Sequence, residues 1–178
     1  MSIISPVLPR TAESEGFDLR IVQWSFLRRL MNDRQRILYA YWLSRSRDGV
    51  FDLSAFDPLE VWPCVGYLHI VQYRAERDDF YYRLSGEISA RAARRSLHKH
   101  WVEDHPEPGR SKVRAHYRQM MTSGRPWLGE VYAVDSDRIA PYWNRMVLPM
   151  VDPEDPEGFV CLVLAEPQND LPRPEGRA

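Results

Sequence analysis

Asp78-Asp79-Phe80-Tyr81-Tyr82-Arg83-Leu84-Ser85-Gly86 decides the fold. Phe80, Tyr82 and Leu84 alternate with Tyr81, Arg83 and Ser85, so large apolar groups share one face of a strand, with an acidic pair before it and a glycine after it as turn residues. Upstream, Val65 to Tyr73 reads as a partner strand and Arg74 to Asp79 as the hairpin turn between them. Downstream, Ile88 to Glu103 is rich in Ala and Arg and lacks Gly and Pro, which predicts one or two short helices. From Arg110 to Ser123, Val113, Tyr117, Met120 and Met121 form an apolar helix face beside a stripe of Arg110, Arg114 and Arg118. Gly124 and Pro126 end that helix.

The last third is strand. Trp127 to Val134, then Arg138 to Met150 after the turn Asp135-Ser136-Asp137, then Phe159 to Glu166 after the Asp152 to Gly158 turn, form a meander. Phe159 to Leu164 is apolar at every position, the mark of an interior strand covered on both faces. Ahead of the first strand, Asn32 or Asp33 caps a helix over 33–47 in which Ile37, Leu38, Tyr41 and Trp42 make an apolar stripe. Asp57-Pro58-Leu59-Glu60 then predicts a capped single helical turn ended by Pro63. Residues 17–31 read as a helix without a clear period, and the expected divisions are a leader over 1–16, a helical extension over 17–50, a domain over 51–167 and a tail over 168–178.

With 178 residues, 44% hydrophobic and 12% aromatic, the chain has the material for one domain with a core. The longest apolar run, Phe159 to Ala165, is far short of a membrane span and no secretory signal opens the chain, so a cytoplasmic location with no membrane partner is expected. Cys64 and Cys161 stand too far apart for a metal-ligand pair and too few for a disulfide framework. The net charge of -1 and the lack of a basic tail argue against a nucleic-acid partner, although the basic residues are almost all Arg.

The order of elements, helix, two strands, short helices, a longer helix and three strands, is that of a PAS domain. Residues 35–167 resemble a bacterial family, best represented in alphaproteobacteria, of short proteins built from one PAS domain. The resemblance rests on Leu38-Tyr39-Ala40-Tyr41-Trp42, Asp57-Pro58-Leu59-Glu60 with Pro63, Tyr82-Arg83-Leu84-Ser85-Gly86, and Val147-Leu148-Pro149-Met150. Where the family usually carries glycines and a small hydroxyl residue after the Gly86 strand, this chain has Arg94, Arg95, His98, Lys99 and His100. The resemblance implies an α+β fold, a five-stranded antiparallel sheet with helices inserted between strands 2 and 3, and a sensory or protein-interaction module without an output domain of its own.

Chemistry enters at few places. His98, Lys99, His100, Asp104 and His105 are dense in titratable groups, but His98 and His100 two apart on a helix diverge, and no metal is expected there. His116 lies in the helix from which some haem-binding PAS proteins take an axial ligand, and a light-sensing flavin adduct would need a cysteine in the inserted helices; neither haem nor flavin is expected. No nucleophile and base stand paired, so no catalytic residue is assigned and the chain is not read as an enzyme. The alternative is a small cone-shaped α+β hydrolase or isomerase using Tyr82, Tyr132, Tyr142 and Arg145.

Two expectations follow. The sheet and the helix of Arg110 to Ser123 enclose a small-molecule pocket lined by Tyr82, His116, Tyr117, Met120, Tyr132 and Arg145, in which Arg and His orient a carboxylate or carbonyl; a filled core is the competing arrangement. Ile37, Leu38, Tyr41 and Trp42, rimmed by Arg34, Arg36 and Arg45, have the composition of an interface, so the leading helix is expected to join a homodimer or dock a signalling protein rather than only close its own core.

Overall fold

The structure is a computed structural model and describes residues 31–47, 51–105, 107, 109–132 and 142–168. The expected leader, the helix over residues 17–30, the Asp135-Ser136-Asp137 turn and the tail beyond Gln168 lie outside the described residues.

Five antiparallel strands form one open sheet: β1 (Leu68–Arg74), β2 (Asp79–Ser85), β3 (Trp127–Tyr132), β4 (Tyr142–Asp152) and β5 (Asp155–Gln168), in the spatial order β2-β1-β5-β4-β3. Among the described residues three helices accompany them: α1 (Asp33–Arg45) ahead of the sheet, and α2 (Glu87–Ala92) and α3 (Gly109–Ser123) between β2 and β3. Short 3-10 segments occupy Leu53–Ala55, Pro58–Tyr67 and Val102–Asp104. The fold is therefore α+β.

The central position of β5 follows from its sequence, since a strand apolar on both faces is stable only where both are covered. Val160 to Leu164 are fully buried. Val160, Leu162 and Leu164 face a core shared with Leu38, Tyr41 and Trp42 of α1, whereas Cys161, Val163 and Ala165 face a core shared with Tyr117 and Met120 of α3. The sheet thus separates two cores, one under each helical layer.

Asn32 caps α1 in a reciprocal box, accepting from the Gln35 amide while the Gln35 side chain accepts from the Asn32 amide. The helix is also fastened across the sheet, because Arg34 donates to buried Glu166 at 3.0 Å and Asn32 donates to the same carboxylate. Trp42 donates its indole N–H to the Pro149 carbonyl, and the Tyr41 hydroxyl donates to the Ala55 carbonyl and accepts from the Asp57 amide. Leu38, Tyr41 and Trp42, expected at an interface, are consequently buried in the chain's own core. Of that stripe only Ile37 is exposed, and with Leu43 it makes up the large apolar side chains that α1 leaves exposed among the described residues.

Three local readings change. The helical segment after Asp57 continues past Pro63 to Tyr67, because a break at Val61 (φ -122°) lets Pro63 stand near the start of a second short turn rather than in a helix interior. Glu60 does not close a capping box on Asp57; it pairs with Arg45 of α1. Asp152 pairs with Asp155, so β5 begins before the Asp- and Pro-rich segment ends and only Pro153 and Glu154 make the turn.

The outer edge of β2 is covered by the inserted segment, through Tyr82 N–H to His100 O at 2.9 Å and Lys99 N–H to Tyr82 O at 2.8 Å. Among the described residues no helix is long and apolar enough to cross a membrane.

Candidate functional site

The α3 face of the sheet carries an unusual set of polar groups. Period-two alternation along β4 puts Arg145 on the same face as Val147, and its pairing opposite Ala165 of β5 and Gly129 of β3 places it under α3. His69 of β1 lies opposite Val163 of β5 and Ser85 of β2, which brings it to the same face. Tyr82 comes from β2, and His116, Tyr117 and Met120 from the buried side of α3.

Five of the six residues expected from the sequence meet here: Tyr82, His116, Tyr117, Met120 and Arg145 are all buried on this side. The sixth, Tyr132, holds the β3 backbone position opposite Tyr142, and its side chain lies outside the described residues, as does that of Tyr142. The sequence reading missed His69, Ser85 and His105. The first two carry a signal only once β1 is known to lie between β2 and β5, and the third reaches the site because the Val102–Asp104 turn folds its chain back against Tyr82.

Tyr82 stands at the centre, with ring centroids 6.0 Å from His69, 5.8 Å from His105 and 6.3 Å from Tyr117. Its hydroxyl is 3.4 Å from that of Tyr117, a long contact, while Arg145 Nη2 donates to the Tyr117 hydroxyl at 2.9 Å. On the far side His116 meets Trp127 at 4.4 Å between centroids, nearly edge-on. That contact depends on Gly129: a Cβ there would lie 2.6 Å from the Trp127 ring, so only glycine lets the indole fold back against α3.

The electrostatics follow from burial. Arg145 is 8% exposed and, among the described side chains, no carboxylate pairs with it. Desolvation first, and then the Arg145 charge, lower His69 and His116 to about 3. His105 falls to about 4 through burial first, then the charges of Arg95 and Arg145. Burial also raises Tyr82 and Tyr117 and pushes the Cys161 thiol up to about 12, so that thiol carries no nucleophilic anion at neutral pH. The site is one fixed positive charge among neutral rings.

Its hydrogen bonding is incomplete. The buried side-chain atoms without a partner among the described residues are Gln35 Nε2, His69 Nδ1, Ser85 Oγ, His105 Nε2 and both ring nitrogens of His116. All but the Gln35 atom belong to the α3 face. Folded proteins satisfy nearly all buried polar atoms, so a cluster of exceptions is where ordered water or a ligand completes the hydrogen bonding.

The arginines of α3 are spent elsewhere. Arg114 pairs with fully buried Asp79 at 2.9 Å, Arg118 with Asp78 at 2.6 Å and Arg110 with Glu107 at 2.7 Å, so the α3 stripe is committed to the chain's own carboxylates. Among the described residues no group of three or more His, Cys, Asp or Glu converges to hold a metal ion. The recess described on the α1 face, lined by Tyr39, Trp127, Leu128, Met146 and Leu148 among others, offers about 10 Å3, the room of one water.

No model of a known protein family matches the chain, and no curated protein matches it.

Proposed function

We propose that the protein is a PAS-type sensory module that binds a small polar molecule between α3 and the sheet and passes the event on by contact with another protein, either a second copy or a separate signalling chain. The observation that carries this reading is the concentration of unpartnered buried polar atoms on one face of the sheet, around Tyr82 and Arg145. The fold reading is supported by five antiparallel strands with α2, the Val102–Asp104 turn and α3 inserted between β2 and β3. A route for the signal is also at hand: α3 holds the site on its inner side and is tied by Arg114 and Arg118 to Asp79 and Asp78 at the start of β2. A ligand that shifts α3 pulls on that strand and on the inserted segment along its edge.

The test has two parts. Native mass spectrometry of the purified chain, together with thermal denaturation against a library of small acids, amides, alcohols and aromatic metabolites, is expected to reveal at least one class that binds and raises the melting temperature. Absence of any binder, in both measurements, would overturn the sensory reading. Chemical crosslinking with and without the binder then reads the output, and an unchanged crosslinking pattern would remove the signalling half of the proposal.

A further inference from the structure

Resting on that reading of the interior as a ligand site, we infer that its occupant is a small monoanionic carboxylate, held by the Arg145 guanidinium with His69 and His116 as neutral N–H donors.

The charge count comes first. A buried charge without a counter-charge is among the costliest features a fold can hold, and it persists where a partner of opposite sign completes it. Arg145 is such a group: among the described side chains no carboxylate lies within ion-pairing distance, and the buried carboxylates Asp79, Asp152 and Glu166 are taken by Arg114, Arg83 and Arg34. The rings closest to the guanidinium are uncharged, so the site has one positive charge to neutralise. A monoanion balances it; a dianion would leave a buried negative charge unpaid.

The donor inventory points the same way. A guanidinium offers five N–H donors in a planar fork suited to two carboxylate oxygens, and among the described residues Arg145 uses one of them, on Tyr117. Each neutral imidazole adds one N–H, and His69 and His116, both 5% exposed, have unpartnered ring nitrogens. Carboxylate oxygens only accept, so donors gathered around a cation are what they require. A cationic or purely donating ligand would meet repulsion from Arg145 instead.

The walls limit size and character. The rings of His69, His105 and Tyr117 stand 5.8 to 6.3 Å from that of Tyr82, ordinary aromatic contact distances, so an occupant lies beside these rings at the guanidinium, not between them, and is limited to a few heavy atoms. Met120, Val147, Val163 and Ala165 line the same face and suit a short aliphatic tail. Met120 can adjust its rotamers to tails of different length.

The experiment uses the full chain at pH 7.5 and constant ionic strength, with calorimetric titration and thermal denaturation. The probes are sodium propionate, sodium butyrate and pyruvate, with propionamide as the neutral isostere, and inorganic phosphate and sodium chloride as other anions. Carboxylates are expected to bind and to raise the melting temperature in proportion to the logarithm of their concentration, with propionamide, phosphate and chloride at least about tenfold weaker. Arg145→Met is expected to abolish the response; should that variant fail to fold by circular dichroism, Arg145→Lys keeps the charge, loses the fork and is expected to weaken binding about tenfold. In a sample labelled with 15N at histidine, the ring signals of His69 and His116 should move on adding propionate and stay still on adding propionamide. Propionamide binding as well as propionate, phosphate or chloride matching it, or a full response in Arg145→Met would each overturn the carboxylate assignment. In those cases, or where only neutral library members bind, the sensory reading survives without it; if nothing binds by any of these measurements, both fall together.

Discussion

Arg145 and the three imidazoles around it determine what the interior costs and how it responds to pH. Replacing Arg145 by Met removes a desolvated charge and keeps most of the volume, so in the absence of added ligand the variant is expected to be as stable as the wild type or more so, by about 1–2 kcal/mol in urea denaturation. A loss beyond about 2 kcal/mol would mean that the guanidinium is a structural strut. The histidines set a separate expectation. His69 and His116 hold folded values of about 3, below the ordinary imidazole value, so at intermediate pH the unfolded chain binds more protons than the folded one. Their contribution is fully present above the unfolded value and is lost as pH falls toward the folded one. Between pH 7 and pH 5 each ring should remove on the order of 2 kcal/mol of stability. His105, lowered to about 4, adds to the same slope. His116→Leu is expected to make the decline shallower by one ring's share; equal slopes in wild type and variant would show that this ring takes no part.

At the scale of elements, α1 belongs to the domain that its stripe covers. Trp42 is buried against β4 and hydrogen-bonded to Pro149, so Trp42→Ala opens a large cavity and leaves a carbonyl unpaired. A loss of about 3–5 kcal/mol is expected in chemical denaturation. Had the stripe been the seam of a dimer, the same change would instead split a dimer with the fold intact, and sedimentation separates the two outcomes. Asn32→Ala tests the other end of the helix. Removing the cap breaks the bond that the Asn32 side chain accepts from the Gln35 amide and the one it donates to Glu166, at an expected cost of about 1–2 kcal/mol. A cost near zero would show that the Arg34–Glu166 pair alone holds the helix in place.

For the whole molecule, the two cores lie on opposite faces of the sheet and β5 is its middle strand, so the cooperative unit should centre on that strand. Amide hydrogen exchange is expected to be slowest over Val160 to Leu164, which are fully buried and hydrogen-bonded on both sides to β1 and β4. α2 and the 93–101 segment, with their exposed side chains and positive φ at Arg94 and Lys99, should exchange far sooner. Comparable protection in the two regions would contradict this division.

The sequence by itself determined the classes and order of the described elements, because strand and helix periodicities are local: Phe80-Tyr81-Tyr82 alternates, Val113 to Met121 repeats at helical spacing, and a short run apolar on both faces between turn residues, such as Phe159 to Leu164, fits an interior strand. Those periods also assigned Tyr82, Tyr117 and Met120 to faces that the structure brings together. What covers a face is not a local property. An apolar stripe reads the same whether its own sheet or another chain buries it, and only the docking of α1 through Trp42, Arg34 and Glu166 put Leu38 and Tyr41 inside. The same limit hid His69, Ser85 and His105, which reach Arg145 and Tyr82 only through the pairing of β1 between β2 and β5 and the fold-back of the inserted segment. Nor could composition show that a buried guanidinium has no acid beside it among the described side chains, since partnership between charges is decided by distances of a few ångströms between residues far apart in the chain.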